Sequence, residues 1–146
     1  MSATRARTVR SITAEFAQEL IDAAAAKAAE IGVPMVISVV DHDGTLKAFR
    51  RMDGAPLLSV EIAQNKAYTA AAFGISTDAW HEFIKEDEPL RLSIVHTDRL
   101  VTFGGGYPVT VDGEMVGGIG VSGGHYTHDM QVASGALEAL GVSGAS

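Results

Sequence analysis

The stretch from His125 to Met130 reads HYTHDM and gathers two imidazoles and a carboxylate within one helical turn's reach. His125 and His128 are spaced i, i+3, so once helical they share a side, and Asp129 follows directly. Three chemistries suit that set. Imidazole beside carboxylate moves protons, which makes His125, His128 and Asp129 candidate catalytic residues for general acid–base work. Imidazole also suits zinc, iron or haem iron. His125 and His128 are therefore the candidate ligands if a metal is held, with Asp129, His96 or a second subunit completing the set. The third reading is a polar helix start whose side chains cap backbone N–H groups. A helix N-terminus favours an anion and keeps a nearby imidazole neutral, the form that a base or a ligand needs.

Lys66 is the second focus. It falls in the middle of QNKAYTAAAF, an alanine-rich helical pattern that reads as largely buried. Burying an ammonium is costly, so Lys66 needs a partner: Asp41, Asp129 or an anionic ligand. Arg50 and Arg51 follow each other on a strand and so point to opposite faces; Arg51 is assigned to the pocket side. Asp41 opens the DHDG turn, where capping the turn and binding substrate are both open roles. Gly104, Gly105 and Gly106 precede Tyr107 and Pro108. They expose backbone N–H groups as in an anion nest or oxyanion hole, or they make a turn that only glycine can make. They are no phosphate loop, because the lysine and strand–helix context are missing. Ser122 has no nucleophile-elbow context. His42 reads as a turn residue and His81, beside Trp80, as surface; His96 is left open.

The elements that must position these groups follow from period and punctuation. TAEFAQELIDAAAAKAAEIGV is a helix capped by Thr13 and ended by Gly32, with Phe16, Leu20, Ala24, Ala28 and Ile31 as its apolar stripe. MVISVV and TLKAFRRM flank the DHDG turn as a hairpin. A second helix runs to Gly74, and STDAWHEFIKE is a short third one capped by Ser76 or Thr77. DEPLRLSIVHTDR reads mostly as loop and LVTF as a strand. VTVDGEMVGGIGVS is a hairpin turning at Asp112-Gly113, with strand glycines that imply close helix or backbone packing. THDMQVASGALEAL is the last helix, with Thr127 or Asp129 near its start. The expected order is α-β-β-α-α-β-β-β-α, an α+β class with an antiparallel sheet covered by helices.

The bulk numbers narrow the function classes. A chain of 146 residues with 47% hydrophobic residues suits one domain with a single core. Residues 1–10 are expected to be a flexible tail and 11–146 the domain. The opening MSATRARTVRS has no apolar h-region, and no apolar run is long enough to span a membrane. A net charge of −7 argues against nucleic-acid or anionic-membrane partners, while a small anionic ligand is still compatible with a local pocket. The absence of cysteine removes disulfides and thiolate chemistry, in keeping with a cytoplasmic protein.

Taken together, ISVVDHDGTLKAFRRMDGA, NKAYTAAAFG, TFGGGYPVTVDGEMVGGIGVSGG and HDMQVASGALEAL resemble the GlcG/HbpS family, over about residues 10–141. The same fold forms the C-terminal domain of PduO-type proteins. The resemblance implies a five-stranded antiparallel sheet flanked by helices, a homo-oligomer, and a pocket for haem, a related tetrapyrrole or a small metabolite. This chain departs from the family pattern in one place: where relatives commonly read QDE, it reads His128-Asp129-Met130, gaining an imidazole and losing a carboxylate. That change favours a cofactor-free enzyme for an anionic or carbonyl metabolite, working by hydrolysis, isomerisation or tautomerisation. Lys66 and Arg51 would hold charge, the glycine loop an oxyanion, and the histidines protons. The alternative is a haem or tetrapyrrole binding protein without catalysis, and a third reading is a non-catalytic oligomeric partner of a metabolic enzyme. Cofactors therefore stand as none, with haem or a divalent metal as the alternatives.

Overall fold

The computed structural model describes residues 4–142, so residues 1–3 of the expected tail lie outside it. Thr13 caps the first helix, its hydroxyl accepting from Phe16 N at 3.1 Å, and α1 runs Ala14–Ile31 until Gly32 turns left-handed at φ 75°. The hairpin β1 (Val36–Asp41) and β2 (Leu46–Arg51) follows, then α2 (Leu58–Phe73), ended by Gly74. Next come α3 (Thr77–Ile84), capped by Ser76, and α4 (Glu88–Ser93) with a 3-10 turn at Ile94–His96. The chain closes with β3 (Gly106–Val111), β4 (Glu114–Ser122) and α5 (Tyr126–Ala139). Asp112 and Gly113 turn β3 into β4 with φ 52° and 82°, the positive pair that a two-residue hairpin turn needs.

The sheet is antiparallel throughout in the order β2-β1-β4-β3. It has four strands, not the five expected. The segment Leu100–Phe103, read as a strand, enters no ladder because its backbone is held by a side chain of α2. Thr69 Oγ1 accepts from Val101 N at 3.1 Å and donates to Arg99 O at 3.0 Å. The segment is thus tied to the helix rather than to a sheet edge. The stretch read as loop is partly helical. Asp87 caps α4 by accepting from Leu90 N at 3.2 Å, and Pro89 sits in the first turn, where its missing N–H costs nothing.

Helices cover both faces of the sheet. Ile37, Val39, Val109, Ile119 and Val121 point to one side and pack with Leu20, Ile21, Ala24 and Ala28 of α1 and with Val132, Ala133 and Ala136 of α5. Val36 and Val40 point to the other and meet Ala63, Ala67 and Ala71 of α2. On that face β4 carries Gly118 and Gly120. A Cβ at Gly118 would lie 2.5 Å from Ala67 O, and one at Gly120 would run into Ala63 O. α2 therefore rests directly on the backbone of β4, as the strand glycines implied. That contact brings Lys66 over the end of β4.

Candidate functional site

Lys66 leaves α2 beside Gly120 and passes the end of β4 to reach α5. Its Nζ donates to Asp129 Oδ2 at 2.8 Å and to Val121 O at 2.9 Å, and it stands 4.7 Å from the centre of the Phe103 ring. Asp129 Oδ1 accepts from Gly124 N at 3.1 Å. Both side chains are sealed, 0% and 2% exposed. Burial pulls the Lys66 ammonium down from its ordinary pKa and pushes the Asp129 carboxyl up, each opposed by the attraction of the other. Of the partners open to Lys66, the fold selects Asp129.

The glycine loop closes over this pair. Gly105 has φ 127°, and a Cβ there would sit 2.6 Å from Lys66 Nζ and 2.6 Å from Val121 O. A Cβ at Gly106 would come within 2.5 Å of Lys66 O. Two of the loop's polar groups are engaged: Gly106 N donates to Thr77 Oγ1 at 2.9 Å, and Gly105 O accepts from Val121 N at 2.9 Å. Of the residues named from sequence, Lys66, Asp129, Gly104, Gly105 and Gly106 thus converge.

The others do not join them. Asp41 Oδ1 accepts from Asp43 N at 2.9 Å and from Thr45 N at 3.1 Å, holding the hairpin turn at the opposite end of β1. Arg51 clamps the following turn, donating from Nε and Nη2 to Ala55 O at 3.1 and 2.8 Å. His125 is the N-cap of α5. Its Nδ1 accepts from Thr127 N at 3.3 Å, and its exposed ring lies 4.2 Å from that of Tyr126. His128 is exposed on the same turn. Among the described residues no three His, Cys, Asp or Glu side chains are placed to hold a metal ion.

Beside the sealed pair lies an open cleft of about 430 Å³. α3 supplies Asp78, His81 and Glu82, α5 supplies Tyr126 and Met130, and Phe103 and Gly104 lie at the loop. Gly104 sits between the two helices. A Cβ there would run into Met130 Sδ and lie 3.5 Å from Asp78 Cβ. Phe103 and Tyr126 are 44% and 46% exposed. Asp78 Oδ1 is buried without a partner among the described residues. A larger, more open groove between α1 and α5, about 520 Å³, is lined by alanines, Gly135, Lys27 and two glutamates, and it gathers no comparable donor set. In the cleft, imidazole, thioether and phenol stand around one space, each a known ligand of haem iron. Aromatic faces for a flat macrocycle lie beside them. The donor set therefore fits a haem. The acids of α3 disfavour propionates on that wall, which leaves them to the open side.

Sequence reasoning missed His81 and Met130 as site residues. The signal was their company: Asp78, His81 and Glu82 share one face of α3 at i, i+3, i+4, while Trp80 and Ile84 are buried.

The family described as "Haem degrading protein HbpS-like" matches residues 12–138. The chain belongs to the HbpS-like family. A 15.0 kDa protein from the dhaT-dhaS intergenic region of Citrobacter freundii is 39% identical over 138 residues, covering 92% of this chain and 95% of that one. Corrinoid adenosyltransferase PduO of the same organism is also 39% identical, over 97% of this chain but only 42% of its own length. Among solved structures, a PduOC:heme complex superimposes with a TM-score of 0.85 at 34% identity, covering 93% of this chain and 99% of that one. HbpS superimposes with a TM-score of 0.83 at 29% identity, covering 96% of this HbpS-like chain and 99% of that one.

Proposed function

We propose that this HbpS-like chain binds haem or a closely related tetrapyrrole in the cleft between α3 and α5, as a binding protein rather than a catalyst. The observation that carries the reading is the set of iron donors His81, Met130 and Tyr126 around one aromatic-lined cleft. The likeness to the haem-loaded PduO domain supports it. When bound, haem would supply an iron centre, which His81, Met130 and Tyr126 are the residues to hold. The chain's part is to ligate it, to cover its faces with Phe103 and Tyr126, and to exclude water. The cofactor-free enzyme reading has less support. It relies on Lys66 and Asp129, which are sealed beneath the glycine loop, and on a glycine backbone whose Gly106 N–H already serves Thr77. The adenosyltransferase activity of PduO is not carried over, since this chain corresponds to 42% of that protein. Self-association accords with Phe73, Phe83, Leu57 and Leu58, all more than half exposed.

Titration of the purified chain with haemin tests the reading. The expected result is a shifted Soret band saturating at one haem per chain, with parallel quenching of the lone tryptophan, Trp80. A spectrum that stays the sum of free haemin and protein contradicts it.

A further inference from the structure

We infer that the cleft between α3 and α5 also takes a small organic ammonium ion, a protonated amine carrying an apolar or aromatic group, with Asp78 as its counter-charge. This goes beyond the tetrapyrrole reading and does not depend on it, since it needs neither iron nor a macrocycle. The charge of the cleft decides the class of guest. Asp78 and Glu82 both line it. Glu82 is already engaged by Lys85, one turn on along the exposed face. Asp78 is not. It enters no ion pair among the described residues, with His81 or with any lysine, and its Oδ1 is buried without a hydrogen-bond partner. A carboxylate stripped of water and left without a donor draws a cation more strongly than one in bulk solvent. Lys66 cannot answer it, because Asp129 and Val121 O already take its ammonium.

The other walls suit the rest of such a guest. Tyr126 is 46% exposed, and its ring is braced by that of His125, 4.2 Å away. A tyrosine face held in this way attracts an ammonium. Phe103 is 44% exposed, but its ring already carries the Lys66 ammonium at 4.7 Å. It therefore serves as an apolar wall for the substituent rather than as a second cation site. Met130 adds a thioether that moulds itself to hydrocarbon. Gly104 keeps the space between the two helices open, since a Cβ there would run into Met130 Sδ. A primary ammonium brings three donors, so it can serve Asp78 and still face a ring. An anion of the same size meets Asp78 as a like charge, and a neutral isostere leaves that carboxylate unanswered.

The test is isothermal titration calorimetry of the full chain at neutral pH with three probes of one shape: phenethylamine, phenethyl alcohol and hydrocinnamate. The amine should bind at one per chain, about tenfold more tightly than the alcohol, and the carboxylate should not bind. Asp78→Asn keeps the shape and removes the charge, so it should bring the amine down to the alcohol's level. Tyr126→Leu should weaken the amine about threefold and leave the alcohol nearly unchanged. Glu82→Gln should keep the preference. Circular dichroism confirms the fold of each variant. Equal binding of amine and alcohol by the unmodified chain overturns the inference, as does a preference that survives Asp78→Asn, or no binding of the amine at all. A preference lost only in Glu82→Gln overturns the assignment to Asp78. A separate haemin titration distinguishes the two readings of the cleft. Amine binding without a Soret shift upholds the ammonium site and sinks the tetrapyrrole reading, and a Soret shift without amine binding does the reverse.

Discussion

Removing one member of the Lys66–Asp129 pair should cost far more than removing both. Lys66→Met leaves the Asp129 carboxylate at 2% exposure with only backbone N–H groups for company, and Asp129→Asn leaves an ammonium at 0% exposure. Breaking a buried pair in this way costs about 3–5 kcal/mol, a large share of the roughly 5–15 kcal/mol that holds an ordinary domain together. In the double variant neither charge remains. The introduced asparagine would keep an acceptor for Gly124 N, and the introduced methionine would keep the apolar stem. What is lost is the donor to Val121 O, worth about 1 kcal/mol. The double variant should therefore lie about 2–4 kcal/mol closer to the unmodified chain than either single variant does. Urea unfolding of the four proteins, followed by circular dichroism and Trp80 fluorescence, gives the cycle. Single losses below about 1 kcal/mol that simply add would show that the pair behaves as an exposed one, and the sealed geometry would be refuted.

Three further predictions follow from neighbouring contacts. Gly105→Ala combines φ 127° with a Cβ 2.6 Å from Lys66 Nζ and Val121 O, and should cost about 2–4 kcal/mol by thermal or urea denaturation. Burial, and then the charge of Asp78, push the Tyr107 phenol up to about 12. Its folded pKa is raised, so its contribution is complete below its ordinary value of 10 and is lost as pH rises through about 12. Alkaline urea titrations should show a loss on the order of 2 kcal/mol across that window, and Tyr107→Phe should remove it. His125→Ala removes only a cap at the exposed start of α5, so stability should fall by about 1 kcal/mol or less.

Local signals in the sequence are readable wherever the controlling residue is a chain neighbour. The caps at Thr13 and Ser76, the left-handed ends at Gly32 and Gly74, and the Asp112-Gly113 turn all act within a few residues of where they are written. The glycines of β4 announce a close helix, and α2 is that helix. Leu100–Phe103 misleads because its backbone partner, Thr69, is about thirty residues away and looks like an ordinary helical residue. Both the reading of LVTF as a strand and the resemblance to relatives pointed to a fifth strand, and the local hydrogen bonds overrule them. For the site, the cost of burying Lys66 correctly demands a partner, and Asp129 is among those named. The cleft is harder to foresee. His81 and Met130 are about fifty residues apart and line one cleft only because α3 and α5 both pack against Gly104. The paired histidines at the start of α5 draw attention by their spacing, yet His125 serves as a cap.

The most direct test is a crystal structure of the chain loaded with haemin. The account predicts one macrocycle in the cleft between α3 and α5, beside His81, Tyr126 and Met130 and against the Phe103 ring, with its propionates toward solvent. A macrocycle seated elsewhere, on His125 or His128 or away from α3 altogether, would contradict it.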